Sequence, residues 1–164
     1  MDLDEFLAQA ADHGPCVGVH PETPSLVPPA GVEVRTIDGA RTKTVDAVFD
    51  AFAGAWHFPQ WFGRNKDALD DLMRDLDGMI NDALGKPPAP GYLTDITDAH
   101  LLLVEQPHAF PWFVEIIPFY RDYYRDEANP PAAFGLLLSA PPQRLHEVHQ
   151  RWLTAGARVA TVTV

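Results

Sequence analysis

Residues 56–78 read Trp56-His57-Phe58-Pro59-Gln60-Trp61-Phe62-Gly63-Arg64-Asn65-Lys66-Asp67-Ala68-Leu69-Asp70-Asp71-Leu72-Met73-Arg74-Asp75-Leu76-Asp77-Gly78. An aromatic run from Phe58 to Phe62 reaches Gly63, where an unrestricted φ allows a sharp turn, and Asn65 then stands as a natural helix N-cap. From Asn65 the apolar residues Leu69, Leu72, Met73, Leu76 and Ile80 recur at i, i+3, i+4, i+7 and i+11, one stripe of a 3.6-residue period. The spacing predicts a helix from Asn65 to Asp77 with this stripe buried. At about 100° per residue, Asp67 and Asp71 fall one turn apart and nearly opposite the stripe, with Asp70 and Asp75 on its flanks. Carboxylates in a helix's first turn gain some tenths of a kcal/mol from its dipole, which explains Asp67 by itself. It does not explain Asp70 beside Asp71, or Trp61 and Phe62 on a loop next to them. On the residues alone, a solvated helix face and a binding surface both stay open.

Outward from this stretch the chain alternates strand and helix patterns. Upstream, Val45, Val48, Phe49, Phe52 and Trp56 form a helical stripe, with Thr42 or Thr44 as its cap, that delivers the chain into the aromatic loop. Before it, Val32, Val34 and Thr36 alternate with Glu33 and Arg35 in a predicted strand ending at the Asp38-Gly39 turn. Pro21 to Gly31 is a proline-rich extended connector. Cys16 to His20 is a short strand candidate, and Leu3, Phe6, Leu7, Ala10 and Ala11 make a short helix stopped by Gly14 and Pro15. Downstream, Asn81 to Ala99 reads as a long irregular loop and the apolar run Leu101 to Val104 as a strand covered on both faces. Phe113, Ile116, Ile117, Tyr120 and Tyr124 make a helical stripe with Pro111 at its start and Asn129-Pro130-Pro131 beyond its end. Phe134 to Leu138 is a further buried strand. A helix from Pro141 to Ala155 and a last strand from Val159 to Val164 follow. Such alternation predicts an α/β fold with a largely parallel sheet.

The chain has 164 residues, 46% of them hydrophobic, enough for one domain with a real core. Its formal net charge of -11 argues against a sequence-independent grip on nucleic acid, which requires a basic surface, and favours a cationic partner. Cys16 is the only cysteine, and no segment has the pattern of a signal peptide or membrane span, so the expectation is a cytoplasmic protein.

The stretch from Phe58 to Leu72 resembles the loop and acidic helix of the barstar family, small intracellular ribonuclease inhibitors. The residues that carry the resemblance are Pro59, Trp61, Phe62, Gly63, Asn65, Asp67-Ala68-Leu69 and Asp71, with weaker agreement of element order from about Val32 to Glu105. It implies a single barstar-like domain over residues 1–164, with 1–31 an N-terminal extension and connector and 32–164 the α/β core. The implied fold is a three- to four-stranded, mostly parallel sheet with helices packed on it. The implied site is a partner-binding surface of Trp61, Gly63, Asn65, Asp67 and Asp71; Asp70, beside it on the acidic face, completes the expected set. The implied partner is a basic, extracellular-type ribonuclease. The expectation is an inhibitor that is monomeric when free, uses no cofactor, and contacts neither nucleic acid nor membrane. Asp70 stands where the family commonly has an aromatic, and Arg64 and Lys66 add cations. These departures support the alternative, an acidic interaction module of the same fold with a different cationic partner.

Enzyme chemistry is less well supported. His146 and His149 are spaced i, i+3, but His149 falls on the apolar face of its helix. Asp67, Asp71 and Asp75 could share a divalent ion, yet all three are expected at the surface without a cavity. Cys16 has no recognisable base beside it, and no Gly-rich phosphate loop precedes a helix.

Overall fold

A computed structural model describes residues 1–80, 82 and 85–164, with the backbone alone at 79 and 80. Five strands, β1 (Val17–Pro21), β2 (Glu33–Asp38), β3 (Gly91–Thr97), β4 (Ala133–Ala140) and β5 (Val159–Thr161), form one sheet in the order β2-β3-β4-β1-β5, every neighbouring pair parallel. The sheet thus has five strands rather than three or four. β1, from the segment expected to be an extension, lies inside it between β4 and β5. Parallel strands need crossover connections, and helices supply three of them. α2 (Val45–Ala55) and α3 (Lys66–Met73) connect β2 to β3, α4 (Phe110–Asp126) connects β3 to β4, and α5 (Pro142–Thr154) connects β4 to β5.

Both sheet faces are covered, as a parallel sheet requires. The larger cluster on one face joins Val48, Phe49, Phe52 and Trp56 of the α2 segment to Leu69, Met73, Phe113, Tyr120, Tyr124, Val148 and Trp152. On the other, α1 (Leu3–Ala10) packs Leu3, Phe6 and Leu7 against Leu93, Leu137, Ala160 and Val162. Gly18 and Gly135 let Phe6 come this close. A Cβ at either position would stand 3.2 or 3.1 Å from its ring, and a Cβ at Gly18 only 2.7 Å from Val162. Arginines then tie the segment after α1 to the rest, with Arg125, Arg158 and Arg121 donating to the carbonyls of Asp12, His13 and Gly14.

Two expectations fail here. Leu101 to Val104 is not a strand but the end of the 3-10 helix Ala99–Leu101 and the turn after it, in which Leu102 and Leu103 are fully buried and the Leu103 N–H reaches the Thr42 carbonyl at 2.7 Å. The strand lies earlier, at Gly91–Thr97, inside the supposed loop 81–99, where 81, 83 and 84 lie outside the described residues. Its polar Thr94 and Asp95 hid it. Both are buried and hydrogen-bonded, Thr94 by the Trp56 indole N–H at 3.1 Å and Asp95 by His20 at 2.9 Å.

Candidate functional site

The aromatic loop leaves α2 through a tight C-terminal cap. His57 adopts a left-handed conformation with φ of 56°, and the Phe58 N–H bonds back to the Ala53 carbonyl at 3.0 Å, the six-to-one bond of a Schellman turn. Pro59 to Phe62 then closes a turn, with the Phe62 N–H on the Pro59 carbonyl at 3.0 Å. Edge-on packing pins two of the loop's rings. Phe62 lies 5.0 Å from Phe58 and 6.1 Å from Phe49, which meets Trp112 of α4 at 6.2 Å. Trp61 sits in the same turn with 69% of its surface exposed. A tryptophan so exposed on an anchored loop is the kind of large apolar side chain that marks a contact surface.

At the loop's far end the left-handed residue is Arg64, with φ of 49°, not Gly63. A Cβ at Gly63 would stand 3.3 Å from the Asn65 amide nitrogen, so that side chain would have to give by a few tenths of an ångström. That amide belongs to the cap. Asn65 has extended backbone angles and its side-chain oxygen accepts the Ala68 N–H at 2.8 Å. Arg64 is held by a two-pronged ion pair to Asp50 of α2, at 3.0 and 3.2 Å. Lys66 lies over the Trp112 ring, 4.8 Å from its centroid. Both cations that oppose an acidic surface therefore have internal partners.

α3 buries Leu69, Leu72 and Met73, and Leu76 beyond it is also fully buried; the side chain of Ile80 lies outside the described residues. The helix is shorter than the stripe predicted. It ends at Met73, and a π-helical turn takes over at Leu76–Ile80. Asp67 and Asp71 are exposed, and Asp71 meets Arg74 at 3.4 Å. Asp70 is half-buried and accepts a hydrogen bond from the Tyr120 hydroxyl. Trp61, Gly63, Asn65, Asp67 and Asp71 are thus all exposed, whereas Asp70 turns toward α4.

Sequence reasoning missed the α4 residues behind this surface. Tyr120 and Tyr124 sit on the helical stripe, where periodicity reads them as core rings. Their hydroxyls nevertheless reach α3, Tyr124 donating to the Met73 carbonyl at 2.6 Å and accepting the Leu76 N–H at 3.0 Å. Burial, aided by Asp70, pushes the Tyr120 phenol well above its ordinary range, so it acts as a donor. Elsewhere, no group of three or more His, Cys, Asp and Glu among the described residues is placed to hold a metal ion. His146 is exposed and His149 half-buried. Burial pushes the Cys16 thiol up to about 11. No described helix is long and apolar enough to cross a membrane.

The family model for barstar, described as the barnase inhibitor, matches residues 32–135. The chain belongs to the barstar family. This is an inhibitor family, and the matched segment runs from just before β2 into β4, enclosing the loop and α3. α1, β1, α5 and β5 lie outside it. A comparison with curated protein sequences finds no match. Among solved structures, the Aeropyrum pernix ORC2 protein, in ADPNP-ADP complexes, is similar at 10% identity and a TM-score of 0.53, over 98% of this chain and 44% of that one. A chain of Drosophila ORC bound to GC-rich DNA and Cdc6 is similar at 10% identity and a TM-score of 0.50, over 97% and 52%. Cdc6p from Pyrobaculum aerophilum follows at 13% identity and a TM-score of 0.49, over 97% and 42%. Such identities speak to the fold alone, and the chain spans about half the length of these structures or less. Residues 22–32, all described, hold no helix and run through Pro24, Pro28 and Pro29 from β1 to β2.

Proposed function

We propose that this protein inhibits a ribonuclease by seating the aromatic loop and the exposed face of α3 in the nuclease active site. One observation carries the reading: Asp67 and Asp71 face solvent on a helix whose opposite side is locked into the core, and Trp61 is exposed on the loop that leads into that helix. A ribonuclease must hold phosphates, so its cleft gathers Arg, Lys and His. Carboxylates fixed in space can take the phosphate positions through charge-assisted hydrogen bonds while an indole covers the cleft. Trp61, Gly63, Asn65, Asp67 and Asp71 form the contact set. The partner is a basic, extracellular-type ribonuclease, and the inhibitor is a cytoplasmic monomer until it meets it. The alternative, a different cationic partner, drew on Arg64, Lys66 and Asp70. Each of these is engaged within the molecule, by Asp50, Trp112 and Tyr120.

Steady-state inhibition of barnase on an RNA substrate tests the reading. Competitive inhibition is expected, with Asp71→Ala weakening it by about 2 to 5 kcal/mol, the usual cost of truncating one member of a buried, hydrogen-bonded charge pair at an interface. No inhibition by a stoichiometric amount of wild type, or equal inhibition by wild type and Asp71→Ala, would overturn it for this nuclease and this residue respectively.

A further inference from the structure

Between the two exposed aspartates of α3 stands Asp70, and the side chains of α4 converge on it and on the helix end that follows. The Tyr120 ring is buried, and its hydroxyl donates to Asp70 Oδ1. One turn along the same face, the Tyr124 hydroxyl sits where α3 breaks, giving its proton to the Met73 carbonyl and taking the Leu76 N–H. Those backbone groups would otherwise belong to a continuing helix, so the phenol replaces the bonds lost at the break. Arg74 closes the arrangement from outside. Its Nε donates to the Asp70 carbonyl at 3.0 Å, Nη2 reaches Asp71 at 3.4 Å, and its guanidinium lies 4.9 Å from the Phe119 ring centroid.

We propose that Asp70 and Tyr120 are positioning residues, a latch between α3 and α4 that sets the direction in which Asp67 and Asp71 are presented, and that Asp70 is not itself a contact to the partner. The proposal rests on the inhibitor reading for its effect on binding, and on geometry alone for its effect on α3. A helix of eight residues has little stability of its own, and most of its order comes from tertiary contacts. Asp70 and the two α4 hydroxyls are side-chain contacts that act on it between the buried stripe and the solvent face. The buried phenol holds Asp70 Oδ1 toward α4, and Asp70 is half-buried where Asp67 and Asp71 are exposed.

Two measurements test this, one of them without a partner. Native-state hydrogen exchange of Tyr120→Phe should accelerate the Leu72, Met73 and Arg74 amides about tenfold while the β3 and β4 amides keep wild-type rates. Equal acceleration across the molecule, or none in α3, overturns the latch whatever the function of the protein. The second is a double-mutant cycle for binding barnase with Asp70→Ala, Tyr120→Phe and the pair. Each single variant should weaken binding roughly tenfold, the double no more than either single, and Asp70→Asn, which keeps the acceptor oxygen, should stay within about twofold of wild type. Overturning results are additive losses, tighter binding by Tyr120→Phe, or an Asn variant as weak as the Ala variant, since these are the marks of a direct charge contact. If wild type does not bind barnase, the inhibitor reading fails for that nuclease and the exchange experiment alone decides the latch.

Discussion

Asp95 and Asp71 each pair with a basic side chain, and they do opposite work. Asp95, on β3, is 4% exposed and holds the equally buried His20 of β1 at 2.9 Å, reaching past β4. Asp71, on α3, has a side chain 78% exposed and a loose contact to Arg74. Water screens the second pair and does not reach the first. Removing one member of a buried pair strands the other charge, at about 3 to 5 kcal/mol, whereas an exposed pair contributes about 0 to 1 kcal/mol. The molecule therefore anchors its sheet with one carboxylate and leaves the other exposed to solvent, as the proposed inhibitor role requires.

The largest effect comes from moving a carboxylate between the two environments within α3 itself. Leu72 is 3% exposed and neighbours Asp71 in sequence. Leu72→Asp forces a carboxyl into the core, where it must give up its charge and leave its polar atoms unpaired, and should remove most of the roughly 5 to 15 kcal/mol of stability a domain commands, leaving no cooperative thermal transition. A transition within a few degrees of wild type would mean that α3 is not anchored as described.

Next in size, Asp95→Ala should lower the urea unfolding free energy by about 3 to 5 kcal/mol, while Asp71→Ala changes it by less than about 1 kcal/mol. Comparable losses from the two would erase the distinction between them.

A smaller effect is the pH dependence of the buried pair. Burial alone would lower the His20 pKa, but the hydrogen bond and charge of Asp95 outweigh it and raise the pKa above its ordinary value. A raised folded-state pKa contributes stability that is complete below the unfolded value of about 6.5 and is lost as pH climbs through the folded one. Wild type should therefore lose stability relative to His20→Gln as pH rises from about 6 into the alkaline range. A constant difference across that window would mean the imidazole is neutral throughout.

How much of this was legible follows the same division between apolar pattern and polar pairing. The stripes of α2 and α3, the Asn65 cap and the outward aspartates are read directly, because periodicity records which side of a helix meets the core. β3 was not, since Thr94 and Asp95 are polar residues in a fully covered strand, satisfied by Trp56 and His20 from distant parts of the chain. Leu101 to Val104 misled for the converse reason: apolar residues also fill buried turns. The placement of β1 between β4 and β5 rests on pairings more than a hundred residues apart in sequence. Periodicity also hid the hydroxyls of Tyr120 and Tyr124, which it counts as rings.

The most direct test of the acidic face is the rate at which it finds barnase. With a net charge of -11 and Asp67 and Asp71 exposed on one helix, association should be steered from beyond contact distance. Stopped-flow on-rates for wild type and an Asp67→Asn/Asp71→Asn double variant, followed from about 0.01 M to about 1 M salt as the Debye length shrinks from roughly 30 Å to roughly 3 Å, read this steering. The account predicts a steep fall for wild type, a clearly shallower one for the double variant, and off-rates that move less with salt than on-rates do. Identical salt slopes for the two proteins would contradict it, because the recognising charge would then lie somewhere other than α3.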